Sequence, residues 1–422
     1  MWRGWVALAF GQPSNTPPRT TEHTVRHEMY PAIGVPLADV LPEPEHTSTA
    51  EIPPLAHARR AELLAGGFPP GLITQLEASC RSFPIRFFVL DNSGSMSSRD
   101  GTRVMSASNG KHRTISVSRW EELCDCVAHV ANLTRALGVR SDFQLLNRTD
   151  RALQFMTLEP PGAQSTSYIR RIGEAVDAHQ LVGEVRSVFP SGGTPLTEAV
   201  ERIISQIEPA ARQMRACGQQ AVVTLMTDGL PNDTKSFEGA LRRLQKLPCW
   251  LVVRLCTDVS SIVKYWDELD KCLESSLEVL DDVAGEAGEV SSKNVWLTYG
   301  QPLHVARTFG LSHRLFDLLD EQRLLPTQAK TLCEVLLDQE LPEPQLEPEA
   351  FVEAVRRAQA ELAPIYDPVR KCSRPWIDVR SLARSIGPQR AFSVEQCLSG
   401  LDARALFVGV GLAAVAYWVC LV

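Results

Sequence analysis

The sequence predicts an α/β fold, a doubly wound and mostly parallel sheet, from three observations. Apolar runs that read as buried strands alternate with segments of helical spacing through the middle of the chain, the pattern of a parallel sheet with crossover helices. Two of those runs, "IRFFVLD" (85–91) and "AVVTLMTD" (221–228), end in an aspartate. Small hydroxyl residues and glycines then cluster just beyond strand ends, where open sheets carry their ligands.

Element by element, "IRFFVLD" is the first strand, after a lead-in helix over 59–82. A long amphipathic helix follows from Arg119 to Leu137, opened by Ser118 with Glu121 three positions on, the spacing of a capping box. "SDFQLLN" (141–147) and "LQFMTLE" (153–159) read as a strand pair. A helix is expected over 168–187 and another just after Pro195, a residue suited to a first helical turn. "AVVTLMTD" is the next buried strand, and "CWLVVRLCT" (249–257) follows a helix near 237–246. Helices are expected through "SIVKYWDELDKCL", "SLEVLDDVAGEAGEV", "HVARTFG" and "RLFDLLDEQRLL". The acidic, proline-rich "ELPEPQLEPEA" (340–350) marks a domain edge.

Composition bounds the function classes. The 422 residues carry a net charge of −7 spread along the chain, which argues against nucleic acid as a partner. Eleven cysteines fall at irregular spacing, with no CxxC pair, and read as thiols of a reducing compartment. Cys124 and Cys126, two apart on the predicted helix, point to different faces and cannot share a metal. Against the reducing compartment stand three N-x-Thr sequons, at Asn132, Asn147 and Asn232, which matter only in a secretory lumen.

The two ends differ from the middle. Residues 1–58 are rich in proline, threonine and histidine without periodicity and read as disordered; His23, His27, His46 and His57 have no metal-ligand spacing. At the other end, 405–422 is an uncharged stretch of 18 residues. As a helix it spans about 27 Å, enough for a thin bilayer. Gly409 and Ala413 form a small-xxx-small pair through which two such helices could associate. Upstream, residues 370–390 hold six basic residues against one acidic, a flank that stays in the cytosol. The pattern is that of a single-pass, tail-anchored membrane protein facing the cytosol.

Candidate ligands lie in three segments. Asp91, Ser93 and Ser95 alternate on the turn leaving the first strand. Thr194 sits on the glycine-rich "PSGGTPLTEA" before a helix, and Asp228 ends a buried strand in "LMTDGLPND". Two carboxylates and three hydroxyls form a hard-oxygen set suited to a divalent cation. This set, D-x-S-x-S with a distal Thr and a distal Asp, resembles the metal-ion-dependent adhesion site of von Willebrand factor A (vWA) domains, over residues 83–300. The resemblance implies a Rossmann-like vWA domain at 83–300. The sequence pattern itself then suggests a helical extension at 301–338, a linker with a helix and a basic juxtamembrane segment at 339–404, and the transmembrane helix at 405–422. The resemblance also implies roles. Ser93 and Ser95 would bind Mg²⁺ or Mn²⁺ directly, Thr194 directly or through water, and Asp91 and Asp228 largely through water. An open position would accept an Asp or Glu of a protein partner.

Between that site and the first helix, Asn109-Gly110 between alternating runs signals a two-residue hairpin turn. A hairpin there would carry Arg99, Arg103, Lys111 and Arg113 over the site and make its rim basic. No HExxH, P-loop or GxSxG segment occurs, so a non-enzymatic binding module is expected. The reading is a cytosol-facing adaptor; the alternatives are a subunit of an ATPase, ubiquitin or trafficking complex, and a lumenal adhesion protein.

Overall fold

The computed structural model describes residues 57–106, 112–160, 168–257, 259–273 and 277–387. It opens with two helices, α1 (His57–Ala65) and α2 (Pro70–Ser82), where the sequence suggested one lead-in helix. The break falls at Gly66-Gly67-Phe68-Pro69. Gly67 takes a φ of +86°, and two consecutive prolines withhold the amide donors that a continuous helix needs.

The strands and helices that follow are β1 (Ile85–Leu90), β2 (Gly101–Ser106), β3 (His112–Val117), α3 (Arg119–Leu137), β4 (Arg140–Leu145), β5 (Phe155–Leu158) and β6 (Glu174–Ala175). Then come α4 (Ala178–Ser187), α5 (Leu196–Ile207), α6 (Ala211–Ala216), β7 (Ala221–Thr227), α7 (Thr234–Leu244), β8 (Cys249–Leu255), α8 (Ser260–Cys272) and β9 (Glu278–Leu280). The chain continues through α9 (Val283–Lys293), α10 (Gln301–Thr308), α11 (Arg314–Glu321), α12 (Pro326–Leu337), α13 (Pro348–Ala358), β10 (Ile365–Asp367), β11 (Cys372–Arg374) and α14 (Val379–Ile386).

Seven strands form one sheet in the order β6-β5-β4-β1-β7-β8-β9, parallel at every junction except β4–β5. The expected α/β class and mostly parallel sheet are therefore present. The sheet is wound on both faces, and β1 shows how. Phe88 and Leu90 enter the apolar layer shared with α2, α3 and α10 to α14, while Ile85, Phe87 and Val89 enter the layer under α5, α7 and α8. That period of two, with both sets apolar, is why the strand reads as a continuous apolar run. Phe88 stacks on Phe143 of β4 with ring centroids 4.9 Å apart, which couples neighbouring central strands.

Helix α3 begins and ends where the sequence indicated. Ser118 accepts from the Glu121 amide while the Glu121 side chain accepts from the Ser118 amide. Gly138, at φ 67°, closes the other end in the left-handed conformation. Cys124 and Cys126 are both buried but meet different neighbours: Cys124 lies near Val185 of α4, Cys126 near Arg254 of β8. Burial pushes the Cys124 thiol up to about 12. All cysteines among the described residues are free thiols.

Three expectations need correction. The helix over 168–187 exists only as α4, because Asp177 caps its start and the residues before it run extended as β6. Gly173 lies so close to Met156 of β5 that a Cβ would stand 2.6 Å from the Met156 carbonyl carbon, a contact only glycine permits. The helical reading of "SLEVLDDVAGEAGEV" is half right: "EVL" is the edge strand β9, and the helix starts after Asp282, whose carboxylate accepts from the amides of residues 284 and 285. The hairpin β2–β3 is present, but Ser106 pairs with His112. A two-residue turn at Asn109-Gly110 would instead pair Ser106 with Arg113.

The stretch 340–350 is loop up to residue 347 and then the first turn of α13, and Leu332, Phe351, Trp376 and Leu382 join the same apolar core as Phe88. The described residues fall in one compact unit. Among them no helix is long and apolar enough to cross a membrane. The segments 1–56 and 405–422, with Gly409 and Ala413, lie outside the described residues.

Candidate functional site

The pairing of β1 with β7 sets the site. These strands run parallel in register, Leu90 beside Met226, so the chain leaves both at the same edge. The Asp91 amide still donates to the Met226 carbonyl at 2.9 Å, and Asp228 follows immediately after β7. The two aspartates thus emerge side by side from the carboxyl end of the sheet, both almost wholly buried.

Loop-to-loop hydrogen bonds assemble the rest. The loop before α5 is tied to the first loop by Gly94 N–H to the Gly192 carbonyl, 3.1 Å, and by Ser191 N–H to the Asn92 carbonyl, 2.8 Å. Asn232, beyond Asp228, accepts from the Thr194 amide at 2.9 Å and donates its own amide to the Thr194 carbonyl at 3.1 Å. Asn147, just past β4, donates its side-chain amide to the Gly193 carbonyl at 2.8 Å and exchanges two further bonds with Asn92. Gly192 sits at φ +86° with the Asn147 carboxamide oxygen 2.9 Å from where a Cβ would be, so this close approach requires glycine.

The five residues singled out from the sequence converge on this floor. Ser93 Oγ and Ser95 Oγ lie 3.1 Å apart, and Ser95 Oγ donates to Asp228 Oδ1 at 2.7 Å. Asp91 accepts from the Ser93 amide at 2.9 Å and from the Thr227 hydroxyl at 2.6 Å. The Thr194 hydroxyl stands against the Asp228–Gly229 turn, 3.7 Å from the point a Cβ on Gly229 would occupy. Burial is the chief reason the Asp91 carboxyl is raised above its ordinary value; bonds from Thr227 and Ser93 oppose this, and the neighbouring Asp228 adds to it.

One participant went unread in the sequence. Arg119, the first residue of α3, donates through Nη1 to Asp228 Oδ2 at 2.9 Å and grips Asp100 with Nε and Nη2 at 2.7 and 2.5 Å. Its guanidinium is held above its ordinary value, first by Asp100 and also by Asp228. One turn along the same face, Glu122 accepts from Arg254 of β8 at 2.7 Å and from the Thr102 amide at 2.9 Å. That clamp fixes the start of α3, and hence Arg119, over Asp228. The capping box located the helix start, but nothing local in the sequence shows that residue 119 faces a carboxylate more than a hundred positions away.

The expected basic rim is altered. Arg103 turns onto α3, where its Nε donates to Asp125 at 2.5 Å and its Nη2 to the Glu121 carbonyl at 3.3 Å. Arg99 is exposed beside the site. Lys111 and the Arg113 side chain lie outside the described residues. The hairpin leans the other way too, with Thr114 Oγ1 and the Tyr366 hydroxyl of β10 3.0 Å apart.

A hard divalent cation fits the donor set. Its members are oxygens, the hydroxyls of Ser93, Ser95 and Thr194 and the carboxylates of Asp91 and Asp228. Among the described residues of this cluster, Arg119 alone faces the carboxylates of Asp100 and Asp228, with Asp91 held by hydroxyl and amide donors. Among the described residues no three His, Cys, Asp or Glu side chains converge as metal ligands.

No protein-family model matches the chain, and no curated protein matches it either. Among solved structures, the chain is similar to manganese-loaded Plasmodium vivax TRAP protein, with 15% identity over 48% of this chain and 70% of that one and a TM-score of 0.29. It is also similar to proximal thread matrix protein 1 from the mussel byssus, with 12% identity over 41% of this chain and 37% of that one and a TM-score of 0.25. At these scores neither likeness adds to what the strand order establishes.

Proposed function

We propose that the chain is a non-enzymatic, metal-dependent protein-binding module of the vWA type. Mg²⁺ or Mn²⁺ would be held by Ser93, Ser95 and Thr194, with Asp91 and Asp228 supporting it. The ion would supply an electrophilic position for a carboxylate from an Asp or Glu of a partner protein. The observation that carries this reading is the meeting of three separate loops, with Ser95 bonded to Asp228 at 2.7 Å and beside Ser93 at 3.1 Å.

This chain's own residues prepare such a position. Asn92, Asn147 and Asn232 hold the loops in register, so ligand capture needs little loop ordering. Arg119 neutralises one oxygen of Asp228, which leaves a bound ion less neutralised by its own ligands. Residues 405–422 would anchor the module in a membrane with the domain in the cytosol, and Gly409 and Ala413 would pair two copies.

The test is capture of partners by the full chain in detergent, in Mg²⁺ and in EDTA, beside Asp228→Ala. Partners retained only by the wild type in Mg²⁺, together with an Mg²⁺-dependent rise in Tm that Asp228→Ala loses, are expected. The same partners and the same Tm in all three conditions would remove the metal from the account.

A further inference from the structure

Where the sheet ends at β9, helices α8, α9 and α11 surround a cavity of about 340 Å³, on a different edge from the hydroxyl-rich loops. Arg307 of α10 lies buried against it. Its Nε donates to Glu278 at 2.8 Å and its Nη1 to Glu286 at 2.6 Å, with Asp320 3.7 Å from Nη2. Asp267 and Asp270 of α8, Asp281 after β9, Glu289 of α9, and Asp317 and Glu321 of α11 also line it. Against all these carboxylates the lining offers, among the described residues, two cations, Arg307 and Lys271.

A second observation points to a ligand. Glu278 is only 6% exposed and lines the cavity, yet its Oε2 has no hydrogen-bond partner among the described residues. Its other oxygen is taken by Arg307, so what remains is a buried acceptor that an incoming donor would satisfy. Burial drives both Glu278 and Glu286 up to about 7, which a further positive charge would reverse.

The shape of the charge selects the ligand class. Among the described residues no three of these carboxylates converge as metal ligands, so the charge is spread through the cavity rather than focused on one ion. Trp250, Val263, Leu277 and Val279 add an apolar wall. A cation with a long aliphatic stem meets both surfaces at once, its methylenes on the wall and its head among the acids. We propose that this cavity binds a primary alkylammonium group on an aliphatic stem, the chemistry shared by a lysine side chain and a free polyamine.

Isothermal titration of the full chain with spermine, with a lysine-containing pentapeptide, with its glutamine counterpart and with CaCl₂, all at 150 mM NaCl, tests this. Saturable binding of spermine or of the lysine peptide is expected, with no heat from the glutamine peptide. Affinity should fall at least tenfold in Glu278→Gln. The double variant Asp267→Asn/Asp317→Asn, which touches only exposed or half-buried rim carboxylates, should weaken binding similarly with the fold undisturbed. Binding of spermine alone would assign the cavity to a free polyamine, and of the peptide alone to a protein partner. Absence of binding by either cation, affinity unchanged in both variants, or displacement of the bound cation by stoichiometric Ca²⁺ would overturn the proposal.

Discussion

At the carboxyl end of the sheet, the two buried aspartates have all four oxygens engaged: Asp91 by Ser93 and Thr227, Asp228 by Ser95 and Arg119. At the β9 edge the arrangement is inverted. There a single buried guanidinium, Arg307, faces Glu278, Glu286 and Asp320, and one oxygen of Glu278 has no partner among the described residues. The first region spends backbone amides, hydroxyls and one arginine on two carboxylates. The second spends one arginine on several. Buried charge is tolerated in both, but only the first has all its aspartate oxygens engaged; burial raises Asp91 in the first region and carries Glu278 and Glu286 to about 7 in the second.

The largest way to break the comparison is Arg307→Ala. At pH 8.5, where Glu278 and Glu286 have lost their protons, removing the one cation from this buried cluster leaves its carboxylates unpaired, and a loss of about 3–5 kcal/mol is expected from urea unfolding. A loss below about 1 kcal/mol at that pH would mean that Arg307 does not hold the cluster together. Next in size is the metal linkage at the other site. At a hundred times its dissociation constant Mg²⁺ should add about 2.7 kcal/mol to the wild type and nothing to Asp228→Ala, read from Tm with and without EDTA.

The pH dependence sharpens the contrast further. Glu278 and Glu286 keep their protons to about 7 in the folded chain, against an ordinary value of 4.5. Between those values the unfolded state binds fewer protons than the folded one, so stability falls as pH rises from about 4.5 to about 7. Urea midpoints at pH 5.5 and 7.5 should differ in that sense, and the difference should shrink in Glu278→Gln. A midpoint that rises with pH in the wild type and is unaffected by Glu278→Gln would deny the β9 cluster this role. The smallest expected effect is at α3. Ser118→Ala removes one side of the capping box and should cost about 1 kcal/mol by the same measurement, without changing the Mg²⁺ response.

The two regions also differ in how much of them the sequence displays. Asp91, Ser93 and Ser95 are consecutive alternates, and Thr194 and Asp228 sit at glycine-marked turns, so the loops carry local signatures that survive without coordinates. Helix α3 is legible for the same reason, since its cap and its left-handed glycine are short-range chemistry. The β9 cluster has no such signature. Glu278, Glu286, Arg307 and Asp320 come from a three-residue edge strand and three short helices, and only packing brings them together. Edge strands β6 and β9 are themselves too short to show a period of two, which is why their segments read as helix. Arg119 is the intermediate case: its place in a helix was visible, but its partner across the sheet was not.

The asparagine ties around the hydroxyl-rich loops bear on the order of events during synthesis. Asn147 and Asn232 each begin a glycosylation sequon, and Asn147 already commits its side-chain nitrogen to the Gly193 carbonyl. A sugar transferred to that nitrogen would put its bulk against the glycine loop that the amide otherwise holds closed. The glycosylated nitrogen would keep one N–H, so the tie to Gly193 would survive only where that hydrogen still faced the carbonyl and the sugar had room beside the loop. Were the domain lumenal, folding before transfer would shield Asn147; with the domain in the cytosol, as proposed, the sequon stays unused.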